Sequence, residues 1–116
     1  MAALAVLYLL GSQCAGKRWS VKTLSDKDRS RVSLKPVFAT VEQFRALAPP
    51  RVLPPDRRVP PVELTTYVVK ARVVGIEKMG DGDFHLVISA PHDPSLTMIA
   101  EFVDPDCVGL RARRRS

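Results

Sequence analysis

The sequence predicts a small, mainly β protein with one short helix, in which an extended N-terminal arm leads into a three-stranded antiparallel meander. Three observations carry that prediction. Residues from Tyr67 to Val73 alternate between more and less polar side chains, which is the two-residue period of a strand with one buried face. Gly80-Asp81-Gly82-Asp83 has turn composition, because glycine tolerates positive φ and aspartate bonds its own backbone. Six prolines fall within residues 49–61, and each ring fixes φ and removes a hydrogen-bond donor, so that stretch is a connector. With 116 residues the chain suits one domain, since separate cores need on the order of 50 to 200 residues each. Ten prolines against seven aromatics predict a modest core.

Residues 1–16 carry no charge and include an unbroken apolar run at 2–10. As a helix that run rises about 15 Å, roughly half a bilayer core, so it predicts no stable membrane span. It reads as a signal-peptide-like segment and hence export, periplasmic or extracellular, although no Lys or Arg precedes it. Small-residue pairs for cleavage are Ser12 with Cys14 and Cys14 with Gly16. The competing reading is an apolar helix that packs on the domain. Cys14 and Cys107 lie at opposite ends of the chain, which excludes CxxC chemistry and leaves either free thiols or one long-range bridge.

Residues 17–61 read as a basic arm. Its first part, 17–35, sustains neither period and is expected to be extended, with Trp19 as a docking side chain. A helix is predicted at 41–48: Thr40 and Gln43 have capping-box spacing, Val41, Phe44 and Leu47 share a face, and Pro49-Pro50 stop it. A polyproline-like linker follows. Residues 62–108 then form the meander, with a first strand running through TTYVVKARVV, a bulge or bend at Gly75, a second strand DFHLVISA, a turn at Pro91-His92-Asp93-Pro94 and a third strand TMIAEFV. Residues 109–116 form a basic tail without apolar period, expected to be disordered.

The net charge of +6 conceals a division along the chain. Residues 17–58 carry eleven basic and four acidic side chains, residues 59–110 three and eight, and the tail adds Arg111, Arg113, Arg114 and Arg115. An acidic sheet repels a phosphate backbone, so the folded part gives no strong nucleic-acid signal despite the pI of 9.8. The basic arm is instead expected to lie against the acidic meander. Polyanion or nucleic-acid binding falls to the arm and to the four tail arginines.

Asp81, Asp83 and His85 alternate into the second strand, and Glu101, Asp104 and Asp106 gather at the end of the third. Carboxylates so grouped have the oxygen chemistry of a Ca²⁺ or Mg²⁺ site, and a metal-assisted nuclease would use such an ion to polarise a phosphate. The spacing matches no EF-hand loop, and turn aspartates serve the backbone equally well. No glycine-rich phosphate loop, HExxH or nucleophile elbow is present, so catalysis and a resident cofactor have no sequence support. Tyr67, Lys70 and Arg72 are too few for a single-strand stacking platform. Unpaired sheet edges predict self-association.

RWSVKTLSDKDRSRVSL, the helix with its proline linker, the Asp81 to Val87 run and TMIAEFVDPDC together resemble a family of uncharacterised bacterial exported proteins, over residues 18–108. That resemblance implies a further helix and two strands after the DPDC stretch, completing an OB-like barrel. After Val108 the chain departs into GLRARRRS, which reads like out-of-frame translation of GC-rich DNA. The resemblance therefore implies a C-terminally truncated domain without catalytic activity of its own.

Overall fold

The computed structural model describes Cys14 and residues 16–107. The apolar run at 2–10 and the tail arginines Arg111, Arg113, Arg114 and Arg115 lie outside the described residues. The fold is mainly β, 41% strand against 19% helix, with no closed barrel. In chain order come helix α1 (Trp19–Lys22), a 3₁₀ turn at Arg29–Arg31, strand β1 (Ser33–Ala39), helix α2 (Val41–Arg45) and a 3₁₀ turn at Val62–Leu64. Strands β2 (Thr65–Val69), β3 (Arg72–Lys78), β4 (Asp83–Ala90) and β5 (Asp93–Val103) follow.

The antiparallel sheet has the order β3-β4-β5. At its first hairpin Gly82 takes φ 89°, a left-handed value that costs glycine nothing. The Gly82 carbonyl accepts from the Asp104 amide at 2.8 Å, which ties the hairpin tip to the end of β5. The β3–β4 register shifts between Val73 and Gly75, so the bulge falls at the residue before the glycine.

Two expectations about the strands and the arm are corrected first. The first strand of the meander is in fact two strands in two sheets: β2 pairs in parallel with β1, and only β3 joins β4. The alternation runs unbroken across Lys70 and Ala71 because Val69 and Ala71 both turn inward onto the same cluster, so side-chain period alone does not register the change of hydrogen-bond partner. The arm, in turn, is not extended over 17–35: it makes α1, a 3₁₀ turn and then β1. Parallel pairing requires a crossover of a dozen residues or more, and residues 40–64 supply it. Pro36 has no amide to donate, and the β1–β2 register is interrupted between Ser33 and Val37 around it.

Helix α2 joins the sheets. Thr40 Oγ1 accepts from the Gln43 amide at 3.1 Å and Gln43 Oε1 accepts from the Thr40 amide at 2.9 Å, a complete capping box. The helix ends earlier than the predicted 41–48, with Ala46 as its C-cap and a 3₁₀-type bond from the Leu47 amide to the Phe44 carbonyl. Its Val41 is buried against Ile88 and Ala90, with Val69, Ala71, Leu86, Leu96 and Met98 around them. Phe44 meets the Tyr67 ring of β2 edge-on at 4.9 Å, and Arg45 donates to the Thr97 carbonyl of β5.

The proline-rich stretch is drawn back onto the arm by charge. Arg58 grips buried Asp26 with two guanidinium nitrogens, at 2.9 and 3.0 Å, and also reaches the Val21 carbonyl. Arg57 grips Asp28 at 2.9 and 3.1 Å, and the Arg58 amide donates to the same carboxylate. Arg18 makes a two-pronged pair with Glu63 at 2.8 Å and donates to the carbonyls of Pro54 and Arg57. Charge-assisted and bidentate, these are the strong class of hydrogen bond. Within the arm Arg31, Arg57 and Arg58 are met by Asp28 and Asp26, whereas Arg18 and Lys22 pair with acids of the following region, Glu63, Asp83 and Glu101.

Hydrogen bonds from Arg58 outweigh burial and hold the Asp26 carboxyl below its ordinary 3.8. Arg57, and then the Arg58 amide, lower Asp28 further, and Arg18 lowers Glu63. Carboxyls lowered in the folded state contribute stability that is fully present above their unfolded values, near pH 4, and is lost as pH falls through the folded ones. The melting temperature is therefore expected to be level from roughly pH 7 to 5 and to drop below about pH 4 in a thermal scan. Asp26→Asn, which leaves Arg58 without its buried counter-charge, is expected to cost on the order of 3 kcal/mol in urea unfolding. Arg31→Met, which removes an exposed guanidinium from an Asp28 that Arg57 and the Arg58 amide still hold, is expected to cost less than about 1 kcal/mol.

Candidate site beneath the N-terminal arm

Strand pairing decides which of the candidate metal ligands meet. Glu77, His85 and Glu101 stand opposite one another across β3, β4 and β5, so they share a face, and Asp83, two residues before His85, shares it too. That face is opposite the one on which Leu86, Ile88 and Met98 pack against Val41. Helix α1 lies over it and lowers Lys22 into the group. The Lys22 ammonium pairs with Asp83 Oδ2, and with Glu101 Oε2 at 3.1 Å. His85 Nε2 lies 3.1 Å from Glu101 Oε1.

Arg18 and Lys22 on one side, and Asp81, Asp83, His85 and Glu101 on the other, line an open cleft of about 620 Å³. Asp83 is 2% exposed, and its second oxygen, Oδ1, is buried without a hydrogen-bond partner. Asp81 uses one oxygen to accept from the Asp83 amide at 3.2 Å, the turn role of an aspartate. Gly16 approaches both carboxylates: a Cβ at that position would sit 3.4 Å from either Asp83 oxygen and 3.6 Å from Asp81 Oδ2.

Asp104 is elsewhere. It pairs with Lys78 at 3.2 Å and caps the next turn by accepting from the Asp106 amide at 2.9 Å. That amide first, and Lys78 after it, lower its carboxyl below 3.8. The six residues grouped in the sequence therefore divide: Asp83, His85 and Glu101 surround Lys22, Asp81 stands at the cleft wall, Asp104 belongs to a separate pair with Lys78, and Asp106 lies in the turn that Asp104 caps. Among the described residues no group of three or more His, Cys, Asp or Glu side chains is arranged to hold a metal ion. The acidic cluster already has a cation, the ammonium of Lys22. Burial opposes that charge, but hydrogen bonds to Asp83 and Glu101 outweigh the penalty and raise the lysine pKa above 10.5.

Sequence reasoning did not single out Lys22, Arg18 or Glu63 as site residues. Their partners lie far along the chain, and only the opposite charges of arm and meander pointed to any pairing. Lys17, Lys27, Arg29, Lys35 and Arg51 remain as exposed cations of the arm.

The two cysteines form a bridge, Cys14 to Cys107, with the Cα atoms 5.4 Å apart. Of the two possibilities open from sequence, the long-range one is realised. It closes the chain over the same end of the sheet that Lys22 covers, since Cys107 follows β5 directly. No helix among the described residues is long and apolar enough to cross a membrane. Compared with models of known families, with curated proteins and with solved structures, the chain matches none of them.

Replacing Lys22 by Met strands the buried Asp83 charge, and the variant is expected to lose on the order of 3 kcal/mol in chemical unfolding. Adding Asp83→Asn is expected to return most of that loss, because the double variant no longer buries an unpaired charge.

Proposed function

We propose that this chain is a non-catalytic, exported, OB-like module whose open sheet is completed by further polypeptide. The observation that carries the reading is the apolar outer strand of the meander. β3 stands at the edge of its sheet, and its Val73, Val74 and Ile76 are 63%, 57% and 61% exposed. An edge strand is a row of unpaired amides and carbonyls, and apolar side chains along it leave it ready to pair with another strand. β1 adds Leu34 and Phe38, more than four-fifths exposed. Against this surface the buried apolar cluster is Val41, Ile88 and Ala90 with their partly buried neighbours. Monomeric domains seldom leave so much apolar surface in water.

The three antiparallel strands support the OB-like reading, in which the helix and two strands expected after the DPDC stretch would close a barrel along β3 or β5. Export is supported by the Cys14–Cys107 bridge, since disulfides persist in oxidising compartments. A metal-assisted nuclease role is weakened by Lys22, which holds the carboxylates such an ion would need.

Size-exclusion chromatography with light scattering, alongside a hydrophobic dye, tests the reading. The chain is expected to bind the dye and to associate as concentration rises, and Val73→Lys with Ile76→Lys is expected to restore a monomer. A wild-type monomer at all concentrations, with no dye binding, would overturn it.

A further inference from the structure

We propose that Cys14 is retained in the mature exported chain, so that leader removal takes place upstream of Cys14 and the peptide bonds after Cys14 and after Gly16 stay intact. The inference rests on the export reading and adds to it the place where processing has to stop.

The small-residue pairs Ser12/Cys14 and Cys14/Gly16 would direct a leader peptidase to cut after Cys14 or after Gly16. Either hydrolysis adds water across the amide, leaves a carboxylate on the departing leader and an ammonium on Ala15 or Lys17, and carries Cys14 away. The folded chain has a specific use for that residue. Cys14 is bonded to Cys107, and Cys107 is 4% exposed. Without its partner, Cys107 would be an odd cysteine in a compartment that oxidises thiols.

Gly16 and Arg18 are held as well. Gly16 passes against the Asp81 and Asp83 carboxylates. Arg18, at a left-handed φ of 57°, spends its guanidinium on Glu63 and on the Pro54 and Arg57 carbonyls. The bridge engages Cys14 itself, and contacts at Gly16 and Arg18 flank the peptide bond after Gly16.

The bond itself balances in the ordinary way: the two thiols give up two electrons and two protons to a disulfide oxidant, which is reduced to two thiols. The bridge spans 93 positions of sequence, and closing so long a loop restricts the unfolded chain, which a small core has reason to keep. The bridge also occupies the sulfur that lipid attachment at Cys14 would need.

The test is the full-length chain expressed in a bacterium, fractionated, and measured by intact mass and N-terminal sequencing after alkylation with and without prior reduction. The exported fraction is expected to begin at or upstream of Cys14, to take up no alkylating agent before reduction and two equivalents after it. An exported chain that begins at Ala15 or Lys17 with Cys107 open to alkylation, or that carries a lipid mass on Cys14, would overturn this inference and leave the export reading standing. A full-length chain confined to the cytoplasm would overturn the export reading and the inference with it. As a second measurement, the purified chain is refolded in glutathione redox buffer and mapped by peptide mass, where a Cys14–Cys107 peptide is expected and its absence would overturn the inference alone.

Discussion

The arrangement of this chain depends on a double ion-pair clamp, Asp26 to Arg58 and Asp28 to Arg57. Six prolines in residues 49–61 stiffen the connector but do not say where it goes. The clamp does. Two neighbouring arginines seize two aspartates spaced one residue apart, and the connector returns to the arm from which it left. With its ends so held, β1 and β2 lie side by side in parallel although residues 40–64 separate them. The Asp26–Arg58 pair is nearly fully buried, and the guanidinium completes its hydrogen bonds by donating to two carbonyls, those of Glu63 and Val21. That completeness is the condition under which a buried pair holds a structure together.

The rest of the molecule is arranged about the clamp. α2 reaches the meander through Val41 and the parallel pair through Phe44, and the arm reaches the opposite face of the meander through Lys22. The sheet is thus covered on one face by an apolar helix side and on the other by α1, whose Lys22 sits over a carboxylate group. The bridge from Cys14 to Cys107 fastens the beginning of the arm to the end of β5. A small domain with little buried apolar surface commonly relies on such fastenings. What they leave uncovered is the outer edge of β3 and the outward side of β1, and the proposed role of the chain lies there.

Much of the fold was legible where the signal is local. The hairpin at Gly80 to Asp83, the bulge beside Gly75 and the capping box from Thr40 to Gln43 each rest on residues within a few positions of one another. The arm was not legible, because β1 is made a strand by pairing with β2 and not by its own period: Leu34, Val37 and Phe38 are all exposed, so no buried face imposes alternation. The split of the first meander strand escaped for the converse reason, since Val69 and Ala71 keep their phase while the backbone changes sheets. In the site, Asp83 and His85 were found by their spacing and Glu101 by its place in the third strand. Lys22, which gives the cluster its character, carries no motif. Asp104 was grouped with them by sequence proximity, which took no account of the Lys78 pair on the other side.

Amide hydrogen exchange on the oxidised chain, resolved residue by residue with NMR, tests the clamp most directly. The Arg58 amide donates to Asp28 at 3.0 Å and the Val59 amide to Glu63 at 2.8 Å, both within the proline-rich connector. If the clamp organises the fold, these two amides exchange as slowly as those of β4. If they exchange as fast as the amides of Arg51 and Val52 in the same connector, the clamp does not hold the chain and the account built on it is wrong.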